Sequence, residues 1–536
     1  MRVIAAGWRG ESLLEALRRR EAARSGSAEW LSAPCGGRGR CGKCRVRVDS
    51  SDRGEGIGVL GPPSADERAF LGEDELAEGL RLACAARFAR DGELGCESAD
   101  EGLAVPLGAL DQGTAASNGP GDEDGRGLKL AVDLGTTTVA ACLLDASGRT
   151  LGQSARANPQ RAWGADVMSR IEAARSPAAL ELMRLAAAGQ VASLAEELLA
   201  RSGSPLGALG EIVVAGNTVM LHLLVGRDPS GMGRVPFAPA FLEELVLEKG
   251  ETGLRGLPGA RLRLLPGISA FVGADLTAGI VATSLGRSRR NELLVDLGTN
   301  GEIVLSTPSG LLCAATAAGP AFEGASIACG SASVGGAIDH ALWEGDGLWF
   351  STIGGLPPEG ICGSGLLDIA AALRLRGIVD ETGFLEEGEG EAGDRRFCLG
   401  SGREVYVTQA DLRQLQLAKG AIAAGVRLVC AEAGIGLAEV GRVHLAGGFG
   451  SYLDPRSALA IGLLPPEFAG KIVAEGNTSL RGAVLAAGSA RASAACRAVA
   501  TSARAVDLAS LPAFQDVFME SMLFPEDSAL EGLSLG

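Results

Sequence analysis

Histidine is scarce in this chain. Among 536 residues it occurs only as His222, His340 and His444, too few for a histidine-rich metal site and a poor basis for a Ser-His-Asp triad. No run of about 18–20 apolar residues free of charge is present, so no transmembrane helix is expected. The opening residues, Met1 to Trp8, hold no long apolar core of a secretory leader, and the chain reads as cytoplasmic. Net positive charge is also missing. The formal balance is −16, which argues against general nucleic-acid binding and against an anionic membrane surface. The 12 cysteines form no disulfide framework, because beyond the N-terminal region they are scattered singly. The G-x-x-x-x-G-K-[ST] loop is absent, which excludes a Walker-type site.

What is present is a large apolar fraction, 46%, and 79 glycines. The first allows a sizeable buried core, and the second suits tight turns that bring backbone close to a ligand. The length allows roughly two to four domains. Residues 1–98 are balanced, with 16 basic and 16 acidic side chains. Residues 99–127 carry six acids and one base without periodicity, and read as a flexible, self-repelling linker. From Leu128 to the end, 128–536, apolar runs ending in Gly/Thr turns alternate with Ala/Leu-rich helical stretches, an α/β signature. LKLAVDLGTTTVAACLLD (128–145) and ELLVDLGTNGEIVLST (292–307) echo each other. Their separation is too long for a solenoid repeat and suits two similar subdomains facing each other across a cleft.

Cys35, Cys41 and Cys44 lie in P-C-G-G-R-G-R-C-G-K-C, and Cys84 follows in Arg81-Leu82-Ala83-Cys84-Ala85. A 2Fe–2S cluster needs four thiolates around two irons. The glycines let backbone N–H groups turn toward the sulfurs, and Arg38, Arg40 and Lys43 add positive potential. Structural zinc would want two C-x2-C units, and one is present. Cys96 is the rival for fourth ligand. The loop strongly resembles the ferredoxin family with an adrenodoxin-like first gap, over most of residues 1–98. That resemblance implies an α+β β-grasp fold with a helix on a twisted sheet. Ser12 to Arg24 fits the helix, with Ser12 as N-cap, and Val46 and Val48 alternate with charged residues as in a strand. The first strand, Met1 to Gly7, is short for that family.

Asp133-Leu134-Gly135-Thr136-Thr137 follows one apolar run and precedes another, as strand, turn, strand. Gly135 permits the turn, Thr136 and Thr137 offer donors to phosphate oxygens, and the acid can hold magnesium. Asp296-Leu297-Gly298-Thr299-Asn300 repeats the device. A third element, Ala446-Gly447-Gly448-Phe449-Gly450, lets a ribose and base approach backbone closely. In order, these pieces resemble the actin/sugar-kinase/heat-shock-chaperone superfamily over about residues 128–500. The resemblance implies an α/β actin-like, duplicated ribonuclease-H-like domain that binds ATP and Mg, with two phosphate loops and an adenosine loop. Val214 to Thr218 and Gly360 to Gly365 look like its connecting hinges. Glu323, Asp275 and Glu302 are candidates to position the hydrolytic water, and Lys419 either touches nucleotide or is a solvated helix lysine.

A ferredoxin module fused to such an ATPase resembles the reductive activators of corrinoid enzymes. Gly319 to Ala325 and Thr408 to Arg413 fit that family's texture. The resemblance implies ATP-driven electron transfer to a cobalt(II) corrinoid, a partner corrinoid protein or corrinoid-dependent methyltransferase, a low-potential electron donor and a homodimer through the ATPase domain. Two departures are expected: no C-terminal 4Fe–4S cluster, since only Cys430 and Cys496 lie there, and no inserted middle domain, since Asp133 follows the linker almost at once. The competing readings are an activator of the 2-hydroxyacyl-CoA dehydratase type, a small-molecule kinase with a fused redox module, and a nucleotide-switched adaptor. Cys142, Cys313, Cys329, Cys362, Cys398 and Cys430 read as small core residues, and His222 and His444 as packed ones.

Overall fold

The computed structural model describes residues 2–23, 44–48, 59–68, 70–98, 127–254, 256–257, 259–324, 326–345, 347–390, 395–399, 405–447 and 453–526. Cys35, Cys41, Gly448 and all of the expected linker but Gly127 lie outside them. Two compact units emerge, one holding the described residues up to Leu264 and the other those from Leu265.

The first unit opens with a four-stranded sheet of β1 (Arg2–Gly7), β2 (Arg45–Val48), β3 (Leu80–Leu82) and β4 (Gly92–Ser98), ordered β1-β4-β2-β3 and antiparallel at every pairing. Helix α1 (Leu13–Ala23) covers it, with α2 (Ala65–Arg68) and α3 (Glu73–Ala77) between β2 and β3. Ser12 caps α1: its Oγ accepts the Glu15 N–H at 3.2 Å, and Glu15 Oε2 accepts the Ser12 N–H at 2.9 Å. Leu13, Leu14 and Leu17 then face Val46, Val48 and Leu94 in one buried cluster. The same helix start is tied to the loop after β3. Leu14 N–H donates to Ala83 O and Leu13 N–H to Ala86 O, each at 2.8 Å.

Two larger sheets account for the echo. β5 (Leu128–Leu134), β6 (Thr138–Leu144), β7 (Thr150–Ala157), β8 (Leu209–Gly216), β9 (Leu245–Leu247) and β10 (Arg261–Leu264) are ordered β7-β6-β5-β8-β10-β9. Helices α4 (Val167–Ala174), α5 (Pro177–Arg201) and α6 (Thr218–Leu224) accompany them. In the second unit, α7 (Ala274–Thr283) precedes β11 (Asn291–Leu297), β12 (Gly301–Thr307) and β13 (Gly310–Thr316). Next come a small sheet of β14 (Ala337–Glu344), β15 (Gly347–Thr352) and β16 (Gly360–Ile361), then α8 (Gly363–Leu375). The pair β17 (Arg396–Cys398) and β18 (Tyr406–Thr408) leads into α9 (Gln409–Glu432). β19 (Val440–Ala446), α10 (Pro455–Ala460), β20 (Ile472–Gly476), α11 (Thr478–Gly488), α12 (Ala490–Ser502), β21 (Arg504–Ala505) and α13 (Phe514–Met522) complete it, giving a sheet ordered β20-β19-β11-β12-β13-β21.

Both sheets are built alike. The strand ending in Asp-Leu is flanked on one side by the next two strands, antiparallel, and on the other by a parallel strand that follows a long helical excursion. Asp133 pairs with Ala140 and Ala215, and Asp296 with Glu302 and Ala446, so the two acids hold equivalent places. β11 is buried on both faces. Leu293, Val295 and Leu297 join α8 and α9, while Leu294 joins Leu276 and Ile280 of α7. Such double burial reads as the unbroken apolar run seen in sequence. Among the described residues no helix is long and apolar enough to cross a membrane.

Candidate functional site

The first turn, Gly135 to Thr137, leaves β5 and returns as β6, closed by Gly135 N–H to Thr138 O at 3.0 Å. Its carbonyls are held from behind. Asn158 Nδ2 donates to Gly135 O at 2.7 Å, Arg170 Nη2 to Thr136 O at 2.6 Å, and Asn158 N–H to Thr137 O at 2.7 Å. Asn158 also caps the next turn by accepting the Gln160 N–H at 2.8 Å, and Arg170 Nε donates to Gly164 O at 3.0 Å. Both side chains are fully buried. Each of the three guanidinium nitrogens finds an acceptor, Nη1 on the Met220 sulfur, which offsets the cost of burying the charge, and that charge adds positive potential behind the turn. Asn217 sits beside the turn as N-cap of α6, directly after Gly216, the register partner of Leu134. Neither Asn158 nor Arg170 was singled out from sequence. A signal existed for Arg170: it shares one helical face with Val167, Ile171 and Ala174, all buried.

The second turn joins β11 to β12. Gly298 N–H donates to Asn300 O at 3.1 Å, and Thr299 Oγ1 donates to Glu323 Oε1 at 2.7 Å. Three acids converge here. Burial, with the Asp275 and Asp296 carboxylates nearby, holds Glu302 well above the usual carboxylate range. Burial and the two neighbouring carboxylates thus favour the neutral form of Glu302. Gly447, at the end of β19, has φ of 102°, and a Cβ there would lie 2.3 Å from Leu297 O and 2.8 Å from Asp296 Oδ1. Only glycine lets the third element lie against the second turn. The structure thus gathers Asp296, Thr299, Glu323, Asp275, Glu302 and Gly447 in the second unit, and Asp133, Gly135, Thr136 and Thr137 in the first.

Of the four candidate thiolates, Cys44 and Cys84 are described, and their sulfurs lie 3.3 Å apart. Cys44 stands at the start of β2, and Cys84 is half-buried in the loop after β3. Two sulfurs at that distance can serve one metal centre. Cys96 lies inside β4, paired with Val3 and Val48, and packs in the apolar core. Among the described residues no three His, Cys, Asp or Glu side chains gather as a metal site.

Other readings are settled by burial. Cys142, Cys313, Cys362 and Cys430 are buried, and burial pushes the Cys313 thiol up to about 12 and the Cys430 thiol up to about 11. Cys329 and Cys398 are half-buried. His222 is packed as expected: it contacts Thr218 O at 2.7 Å, accepts the Ala240 N–H at 3.0 Å and stacks on Phe241. His444 meets Glu475 at 2.7 Å. Lys419 is neither solvated nor a turn residue. It is fully buried in α9 and donates to Leu523 O, beside Gln416, which donates to Met522 O at 3.0 Å, and Arg374, which donates to Pro525 O at 2.7 Å.

A duplicated sheet with an acid-and-glycine turn in each half defines a protein of the ASKHA class. The profile of the C-terminal domain of RACo, the ASKHA domain, matches residues 290–532, and that of the RACo middle region matches residues 128–288. The corrinoid activation enzyme RamQ of Eubacterium limosum is 32% identical over 419 residues, 74% of this chain and 70% of that protein. The [Co(II) methylated amine-specific corrinoid protein] reductase of Methanosarcina barkeri is 28% identical over 42% of this chain and 44% of its own length. The structure of a reductive activator for a corrinoid, iron-sulfur protein superposes with a TM-score of 0.69 at 30% identity, covering 97% of this chain and 96% of that one. The chain belongs to this family of RACo-type corrinoid activators. One expectation is corrected: the residues read as leaving no room for a middle domain are those that match the family's middle region. That region carries the same strand-turn-strand pattern as the domain after it.

Proposed function

We propose that this protein reductively activates a corrinoid protein, using ATP to pass one electron to cobalt(II) and restore cobalt(I). The observation that carries the reading is the close approach of Cys44 and Cys84 in a chain of this family, with an acid-and-glycine turn in each of two like sheets. Cys35, Cys41, Cys44 and Cys84 would hold a 2Fe–2S cluster, which supplies a one-electron store near roughly −400 mV if it is of plant type. Cobalt(I) is a stronger reductant than such a centre, and each ~59 mV of mismatch costs a factor of ten in the equilibrium constant. Nucleotide-driven closure on the partner supplies the difference.

This chain's own residues do the rest. Gly135, Thr136 and Thr137 shape one phosphate turn, and Gly298, Thr299 and Asn300 the other. Asp133 and Asp296 would hold magnesium beside the phosphates. Gly447 admits the nucleoside, with Gly448 beside it. Glu323, hydrogen-bonded by Thr299, would hold the attacking water. ATP and water become ADP and phosphate as cobalt gains its electron. A cluster held by those cysteines would be re-reduced by a low-potential donor, and the proposed setting is the cytoplasm, with a homodimer formed through the ATPase half.

The test is anaerobic: reductant, this protein and a cognate corrinoid protein, with and without ATP, followed by cobalt(I) absorbance. ATP-dependent cobalt(I) is expected. Equal formation in both arms removes ATP coupling. In parallel, Cys84→Ala should lose the iron and sulfide of the purified protein while Cys96→Ala keeps them, and the reverse would overturn the ligand assignment.

A further inference from the structure

The N-terminal sheet does not stand apart from the rest of its unit. Helix α1 packs against α5, and Arg18, half-buried on α1, donates from Nε to Ala162 O at 2.7 Å, with Nη2 on the same oxygen. Its guanidinium lies 5.5 Å from the ring centre of Trp163, which is itself buried. That is within the range of a cation–π contact. Ala162 and Trp163 belong to the segment whose ends are Asn158 and Arg170. Those two residues take the three carbonyls of the first turn. One short segment therefore touches the N-terminal module on one side and shapes the turn on the other. The module end of the contact is also well anchored, since α1 is tied at Leu13 and Leu14 to the carbonyls flanking Cys84.

We infer that segment 158–170 couples docking of the N-terminal module to nucleotide held at the Gly135–Thr137 turn. The inference rests on reading that turn as a phosphate site. Arg18 fixes Ala162 and Trp163, which steadies Asn158 and Arg170 and hence the three carbonyls they hold. Docked, the turn is pre-shaped, and nucleotide binds more tightly. By linkage, nucleotide favours the docked module by the same factor. The module is then docked for a larger share of the time when nucleotide is bound than when the turn is empty.

The experiment measures the dissociation constant of a non-hydrolysable ATP analogue by calorimetry, on the full chain with visible absorbance as a check on the module. Arg18→Ala should weaken binding about fivefold or more, the lower range of typical couplings. Arg18→Lys, which keeps the charge but loses the two-donor contact, should share the loss. Arg19→Ala is the control, because among the described residues Arg19 binds Glu11, Ala6 O and the Trp8 ring, all within its own module, and it should leave the constant unchanged. Hydrogen exchange gives the reciprocal reading: analogue should slow exchange across 13–19 in the native chain and not in Arg18→Ala. If Asp133→Ala weakens binding but Arg18→Ala and Arg18→Lys stay within twofold of native, the coupling is wrong and the phosphate turn stands. If Asp133→Ala changes nothing, the turn reading fails and the coupling falls with it.

Discussion

Glu67 is fully buried beneath the N-terminal sheet, and its neighbours explain how it remains charged there. Burial pushes its pKa up, but Arg81, at 2.7 Å and 3.0 Å, and the N–H groups of Ser64 and Leu82 outweigh it, and the net shift is downward. A lowered folded pKa contributes stability above the ordinary carboxylate range, which is lost as pH falls through the folded value. Glu67→Gln would leave Arg81 buried without its counter-charge, at a cost of about 3 kcal/mol. Hydrogen exchange at neutral pH should then show β3 and β4 opening while β5 to β8 keep their protection; native-like protection of β3 would refute it. Lys419 has a pH dependence of the same sign in a higher window. Burial, aided by Arg427, lowers it from 10.5 to about 7. Between those values the unfolded chain holds a proton the folded one lacks, so stability from this group rises with pH above about 7. Against Lys419→Met, the native protein should gain about 2 kcal/mol between pH 7 and pH 9 by urea unfolding. A gap that does not move with pH would mean the amine stays charged beside Leu523 O.

At the scale of elements, the two turns are held by different means, and each can be broken separately. Asn158→Ala removes two acceptor-and-donor roles behind the first turn. Nucleotide affinity should fall at least tenfold, about 1.4 kcal/mol, with the sheet intact. Gly447→Ala would place a methyl 2.3 Å from Leu297 O at a φ of 102°, so the end of β11 must shift and Asp296 with it. A loss of similar size is expected by titration calorimetry, and unchanged affinity would show that the end of β11 is not part of the site. These elements also mark how far the chain could be read unaided. Asp133 and Asp296 stood out because a polar acid ended an apolar strand before glycine, a local pattern needing no tertiary knowledge. The cap at Ser12 and the alternation at Val46 and Val48 were local too, and both hold. Asn158 and Arg170 were hidden because their roles depend on contacts across more than twenty residues of chain with carbonyls that leave no mark in sequence. Lys419 was misread for the same reason: its partner is a backbone oxygen 104 residues away.

Across the whole molecule, the proposed function assigns electron carriage to the N-terminal module and nucleotide to the two like sheets, and it requires them to act together. Asp133→Ala and Asp296→Ala should each abolish ATP-dependent cobalt(I) formation while leaving iron content intact. Cleavage within 99–127 should leave both pieces folded yet slow reduction severely, since a tether of this kind holds its module at about millimolar effective concentration. Full activity after cleavage would mean that the α1–α5 contact alone keeps the pieces together. The first turn has a consequence for what the whole machine admits. Its three carbonyl oxygens are already spoken for by Asn158 and Arg170. Carbonyls are what a loop uses to welcome bare cations, and here they face inward toward a buried positive charge. With one lone pair of each oxygen engaged, the turn has less to offer a bare sodium or potassium ion than a loop whose carbonyls are free.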